Sequence, residues 1–556
     1  MVGVGSKAVL AAGLCPVAGA SVFLLYRLFN MCFRGYRSPL RLLPGPPSRG
    51  WLQGSFDLNP EVDGLQQMDD WVDDYGRSYH ARSIFGSRIL FTTDVKALHY
   101  ILTNPTKYCK HESLRFLLGA DAGDGLLVVE GAKHRQQRRV MNPAFGPAQV
   151  RELTSTMVQK AVELRDYWRE QIAAEGEDKL ETDVLAVLDK TTLDIIGMGG
   201  FGYSFDALHS TKDHPNELKQ ALNTIFAMEA ESLLLYLQFI APVLRIIPTS
   251  AQKRRTKAMQ VVERIGSELI AERKAAVLAN AEKSSDAAAP TVGKKDIVGR
   301  DLLSLLIKAN MASDLPESAR MVDGDVLAQI PTFLMAGHET TSAGTAWALY
   351  ALACNLDVQA TLRAELLERP TDTPSMDELN ALSYLDAVVR EVLRMYPPAP
   401  TSSRVASEDD VIPLKIPFVD SNGVMRHEIR INKDDTLITP IRRLNKSKEI
   451  WGADAHEFKP ERWTDVPEAA RTVPSVFSNL LTFYAGPHAC IGYRFALVEM
   501  KVLLYTLIRA FDFRLAGPPE DIIPKTYIVM KPSLASDRKR GECLPMIVRP
   551  VRVQAD

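Results

Sequence analysis

The sequence lacks CxxC pairs, an excess of charge of either sign, and repeats of fixed period, and each absence removes a class of protein. Its six cysteines, Cys15, Cys32, Cys109, Cys354, Cys490 and Cys543, are scattered. That pattern argues against a zinc module and a disulfide framework, and thiols in a reducing compartment are the simple reading. Lys plus Arg number 66 against 68 Asp plus Glu, a formal net charge of -2. No global field draws nucleic acid, so no nucleic-acid role is expected. No flavin or nicotinamide motif is present either. What the sequence does have is 556 residues, 46% of them hydrophobic and 24% charged. Such a chain can bury a large core and is globular.

Between Lys7 and Arg27 run 19 uncharged residues, AVLAAGLCPVAGASVFLLY. As a helix rising about 1.5 Å per residue they span the hydrocarbon core of a bilayer. A cleaved signal peptide is the competing reading, because Ala18-Gly19-Ala20 resembles a small-residue cleavage site. Arg27, Arg34, Arg37 and Arg41 crowd the C-terminal flank while only Lys7 precedes the segment. The positive side stays in the cytosol, so the expectation is a retained single-pass anchor in the endoplasmic reticulum membrane with a cytosolic body. The sequon Asn445-Lys446-Ser447 would then never meet the lumen. LPGPPSRGWLQG (43–54) carries Pro44, Pro46 and Pro47 and reads as a stiff extended hinge. Three segments follow: an anchor (1–27), a basic and Pro-rich hinge (28–54) and a catalytic body (55–556).

Beyond residue 59 the periodicity is mostly helical, with strand-like runs at Ser83–Thr92 and Leu544–Val553, so the fold class is mainly α with a minor β portion. KAAVLANAEKSSDAAAPTVGKK (274–295) reads as a mobile surface loop. SLLLYLQFIAPVLRIIP (232–248) is either a greasy lid near the membrane or a core helix.

The most informative segment is FYAGPHACIG, Phe483 to Gly492, followed by the helical pattern YRFALVEMKVLLYTLI. Gly486 and Gly492 permit close approach of a flat ligand to the loop. Cys490 precedes a helix N-terminus, where N–H groups and the helix dipole lower a thiol pKa. A buried free cysteine in a Gly-rich turn is the plain alternative. The whole string resembles the haem-binding signature of the cytochrome P-450 superfamily. The resemblance implies a single large domain with the fold of that family and haem b held through Cys490 as the metal ligand. It also implies that Phe483 shields the sulfur and that Gly486 and Gly492 shape the loop. His488 stands where most members carry an Arg for a haem propionate, and histidine can still donate to a carboxylate.

Other segments resemble the same family in order. ExxR alone is cheap, since Glu112 to Arg115 and Glu317 to Arg320 also satisfy it. Glu391 and Arg394 lie in YLDAVVREVLRMYPP, on one face of a helical pattern stopped by Pro397-Pro398. With Arg462 of FKPERW the resemblance makes them a structural triad. In the apolar helix VLAQIPTFLMAGHETTSAGTAWALYALA (326–353), AGHETT resembles the oxygen-activation motif, with Glu339 and Thr340 moving protons as catalytic residues and Ala336 and Gly337 leaving room. The alternative is Thr bonding back to its own helix and Glu facing solvent. EGAKHRQQRRVMNPAF (130–145) resembles the haem-edge helix, with His134 where many members have Trp and Arg138 as a propionate partner; its basic residues also suit a solvated face or docking of an acidic electron donor. Arg404 stands where relatives place another propionate ligand. Phe333, Ala336, Ala399 and Thr401 are candidate pocket residues.

The resemblance therefore implies a monooxygenase that puts one oxygen atom from O2 into a lipophilic small molecule, with electrons from NADPH through a separate flavoprotein reductase and cytochrome b5 as a second possible donor. NPAFGPAQ (142–149) is most like fungal microsomal members, which suggests a terpenoid, steroid or aromatic substrate in secondary metabolism or xenobiotic oxidation. Two rivals stay open: a haem-thiolate isomerase or dehydratase acting on peroxides, and a membrane-tethered binding protein with no cofactor.

Overall fold

The computed structural model describes residues 35–51, 53–57, 64–83, 86–210, 216–226, 247–284, 301–311 and 320–551, with the single residues 238, 244 and 316. The expected anchor and most of the proposed lid at 232–248 lie outside the described residues. Among the described residues no helix is long and apolar enough to cross a membrane.

The chain packs as two compact units. The first comprises residues up to Cys109 together with Thr401–Arg443. Its five-stranded sheet has the order Ser78–Arg82, Arg88–Thr92, Thr436–Pro440, Thr401–Ala406 and Tyr108–Cys109, with only the pair Arg88–Thr92 and Thr436–Pro440 parallel. Alternation places Tyr79 opposite Phe91 in the register, and the rings stack at 5.0 Å beside Trp71. The strand expected over Ser83–Thr92 is thus only its second half, because the chain reverses direction at Ser83, whose N–H donates to Ser87 O (2.7 Å). The Pro-rich stretch is extended, yet it is no free hinge. Leu40 and Leu43 are buried in the core of this unit, Pro44 O accepts the His80 N–H (2.9 Å) and Leu43 O meets His80 Nδ1 (3.0 Å). The packed body therefore begins upstream of residue 55.

The second unit, Lys110–Pro400 with Leu444–Asp556, is mainly helical. Its strands form a three-stranded sheet of Leu180–Asp183, Pro545–Pro550 and Phe511–Leu515, and the hairpin Ile522–Thr526 with Met530–Leu534. Its middle is the helix Gln329–Cys354, buried along most of its length. Sequence periodicity carried this helix back to Val326, but a separate short helix, Asp323–Leu327, precedes it. Pro331 has no N–H to give to Leu327 O, so the two cannot run on unbroken. Val184–Phe201 packs against this central helix at Gly337, where a Cβ would come within 2.9 Å of Ile196. On another side lies Tyr493–Ala510, where Gly344 approaches Met500. Trp347 stacks on Tyr396 (4.8 Å between centroids) and donates to Met530 O (2.9 Å). The segment read as a loop over 274–295 is corrected in its first half: Lys274–Ser284 continues the helix Ser250–Ser284. Ala, Leu, Lys and Glu are strong helix formers, and low complexity does not outweigh that propensity. Residues 285–295 lie outside the described residues.

Candidate haem site

The cysteine loop is built by its own backbone. After the turn Leu481–Phe483, Tyr484 takes a positive φ of 62° and Gly486 one of 69°. A tyrosine there carries strain, held by its N–H bond to Leu481 O (2.8 Å). Cys490 N–H then donates back to Phe483 O (2.9 Å), closing the loop before Tyr493–Ala510 begins with Gly492 at its N-cap. Phe483 is buried and packs edge-on against Phe477.

Cys490 is exposed as a residue, while its thiol is desolvated by the surrounding protein. Burial is the largest influence and pushes the thiol pKa up, while the Gly492 N–H and the Arg138 guanidinium pull it down. The helix start thus acts in the expected direction, but the net shift is upward. A coordinated metal ion deprotonates a thiol outright. Arg138 also donates to Ala489 O, next to the cysteine.

Arg138 and His134, four residues apart, face inward from the helix Gly131–Met141, whereas Arg135 and Arg139 are exposed. His134 is buried with its ring 4.1 Å from that of His488. The two histidine rings therefore lie against each other, tilted by 31°. His488 Nε2 is 3.2 Å from Glu130 Oε2, and Lys110 Nζ is 3.0 Å from Glu130 Oε1. Burial raises the Glu130 pKa, but His488 and Lys110 outweigh it and hold the carboxyl at about 2. Burial first, then His488 and Lys110, lower His134 to about 3. Glu130 escaped the sequence reading because its partners are 20 and 358 residues away.

The central helix, buried on both sides, becomes accessible over Met335–Thr340, with Ala336 exposed. Thr340 Oγ1 donates to Ala336 O (2.8 Å), the local back-bond weighed against a catalytic role. Glu339 is part-exposed, and its carboxylate is 3.7 Å from Nζ of the buried Lys531. Phe333 is buried edge-on against Phe145 (5.3 Å), itself 3.8 Å from where a Gly492 Cβ would stand. Ala399 is exposed after the buried Pro397 and Pro398. Thr401 and Arg404 belong to the first unit, on the strand Thr401–Ala406, where Arg404 donates to Ser402 Oγ (3.0 Å) and Ser403 O (2.7 Å).

The triad is assembled in full. Arg394 grips Glu391 with two parallel bonds (2.7 and 2.9 Å), and Arg462 Nε approaches the same carboxylate at 3.4 Å. Glu391 and Arg394 are completely buried. Arg394 further donates to Asn445 O, Ala455 O and Glu457 O, tying the helix Ser383–Met395 to the following meander. Trp463 Nε1 completes the set on Glu391 (3.1 Å), a member that its place beside Arg462 could have revealed.

The donor set suits a haem with a thiolate ligand: a cysteine flanked by an N–H and a guanidinium, with inward basic and imidazole groups for propionates. A sequence model described as cytochrome P450 matches residues 44–536. Cytochrome P450 monooxygenase 205 of Postia placenta is 48% identical over 92% of this chain and 93% of its own. Cytochrome P450 monooxygenase 128 of the same fungus is also 48% identical, over 96% and 97%. The ganoderic acid synthetase of Ganoderma lucidum is 35% identical over 96% and 97%. With the loop, the triad and the helical body following the family order, these matches show that the chain belongs to the cytochrome P450 family.

Proposed function

We propose that the chain is a monooxygenase in which Cys490 holds haem b and Glu339 and Thr340 manage protons for insertion of one oxygen atom into a lipophilic terpenoid, steroid or aromatic compound. The observation that carries this reading is Cys490, exposed as a residue and flanked by the Gly492 N–H and Arg138, in a unit whose central helix opens at Ala336–Thr340. When bound, a haem with a thiolate ligand supplies electron density that favours O–O cleavage. Gly486 and Gly492 shape the loop, Phe483 shields the sulfur, and Arg138, His134 and His488 offer donors to propionates. Glu339 carries a proton, and the Thr340 oxygen keeps lone pairs to accept one while its hydroxyl is turned toward Ala336 O. Phe333 and Ala399 give the site apolar walls. We further propose that electrons come from NADPH through a flavoprotein reductase at the cytosolic face of the endoplasmic reticulum, and the exposed Arg135 and Arg139 suit an acidic partner. The body of residues 55–556, with its packed approach from Ser38, would act as one catalytic domain.

The test is a screen of terpenoids, steroids and aromatics with a reductase, reading products that gain one oxygen atom. Thr340→Ala is expected to lower product and raise peroxide release per NADPH consumed. Unchanged coupling removes the proton role.

A further inference from the structure

We infer that Lys531 is a positioning residue for Glu339, a shared counter-ion from which the Glu339 carboxylate can be released toward Thr340 without leaving a buried ammonium uncompensated. The inference rests on the proton-carrying role proposed above for Glu339.

Lys531 projects from the strand Met530–Leu534 and is buried. Three carboxylates share its Nζ: Glu542 at 3.2 Å, Glu339 at 3.7 Å and Asp189 at 3.8 Å. They outweigh burial, so the Lys531 pKa is raised. The backbone on either side is fixed, since Met530 N–H donates to Pro398 O (2.8 Å), Met530 O accepts from Trp347, and Pro532 O accepts from Cys543 N–H (3.0 Å). Asp189 is held in turn by Ser342, whose hydroxyl contacts both the Asp189 carboxylate and Glu339 O (3.2 Å). The side chain therefore has little freedom to follow a departing partner.

Removing one partner from a buried ion pair is costly because the other charge is left unmatched. Here the distances rank the partners. Glu542 is the closest, and Glu339 stands beyond hydrogen-bonding reach of Nζ. When Glu339 turns away, Glu542 and Asp189 remain to balance Lys531. Both are about 30% exposed, with side-chain accessibilities of 28% and 32%, and Glu339 at 25% is itself open to solvent and can regain a proton there.

The variants are Lys531→Met, Lys531→Arg, Glu542→Gln and Glu339→Gln, made in the full chain and measured with reductase for product and peroxide per NADPH. Lys531→Met is expected to raise the peroxide-to-product ratio about tenfold, part of what a general acid contributes, and Lys531→Arg to recover most of it. Glu542→Gln, a change at an accessible position, is expected to raise the ratio by tightening Lys531 on Glu339. Wild-type coupling in both Lys531→Met and Glu542→Gln while Glu339→Gln is impaired overturns the inference. Wild-type coupling in Glu339→Gln overturns the proton-carrying reading beneath it, and the inference with it.

Discussion

At Cys490, burial and electrostatics oppose each other, and Arg138 and the Gly492 N–H offset only part of the burial that favours the protonated thiol. Cys490→Ala is expected to abolish the spectral mark of thiolate ligation in the reduced protein under carbon monoxide, and with it turnover. Asn445, the first residue of the only sequon, is buried: its Nδ2 donates to Thr482 Oγ1 (2.8 Å) and its Oδ1 accepts from Leu481 N–H (3.3 Å). Asn445→Ala is expected to cost about 1–3 kcal/mol in denaturant unfolding because buried groups lose partners. The folded side chain has no room for a glycan, which an unshifted mass after secretory expression of the folded protein would check. Cys490, the triad and His134 with Arg138 were legible only through resemblance to the family's motifs. Lys531, Glu130 and Thr482 were not, since Glu339, His488 and Asn445, which they meet, lie on segments far apart in sequence.

Whole helices were easier to read than their ends. The helix before Pro397 stops at Met395, as the proline pair requires, but the break before Gln329 depends on a single missing N–H. Glu391→Ala is expected to destabilise the protein by about 3–5 kcal/mol and to release haem, because it leaves Arg394 buried without its carboxylate; thermal melting and absorbance after gel filtration measure both. Between Tyr493–Ala510 and the central helix lies Glu499, fully buried, with the Thr341 hydroxyl beside its carboxylate. Burial raises its pKa well above the ordinary value, and Thr341 offsets this only in part. The unfolded chain ionises above pH 4.5 while the folded one keeps the proton, so stability is lost as pH rises from there toward the folded pKa. Glu499→Gln is therefore expected to be more stable than the wild type at neutral pH by about 1 kcal/mol or more, and a lower denaturation midpoint would contradict this.

For the whole molecule, the paired histidines point to sensitivity to acid. His134 is lowered from 6.5 to about 3, so between those values the unfolded chain binds a proton that the folded chain refuses. Glu130 adds to this as pH falls from 4.5 to about 2, where the stability its ion pairs give at higher pH is lost. Denaturation midpoints are expected to fall as pH drops below 6.5, and His134→Phe is expected to flatten that slope. The balance of helix and sheet was visible in periodicity, whereas the pairing of Arg88–Thr92 with Thr436–Pro440, more than 300 residues apart, had no local signal. The threading of Leu40 and Leu43 beneath the first unit's sheet has a practical consequence for anyone trimming the protein for expression. A deletion ending before Gly35, whose carbonyl accepts from Arg88 Nε (3.0 Å), keeps the described contacts of the first unit. One that starts the chain at residue 55, the boundary suggested by the prolines, would strip two leucines from a hydrophobic core and leave His80 without its backbone partners, so the shorter product is expected to aggregate where the longer stays in solution.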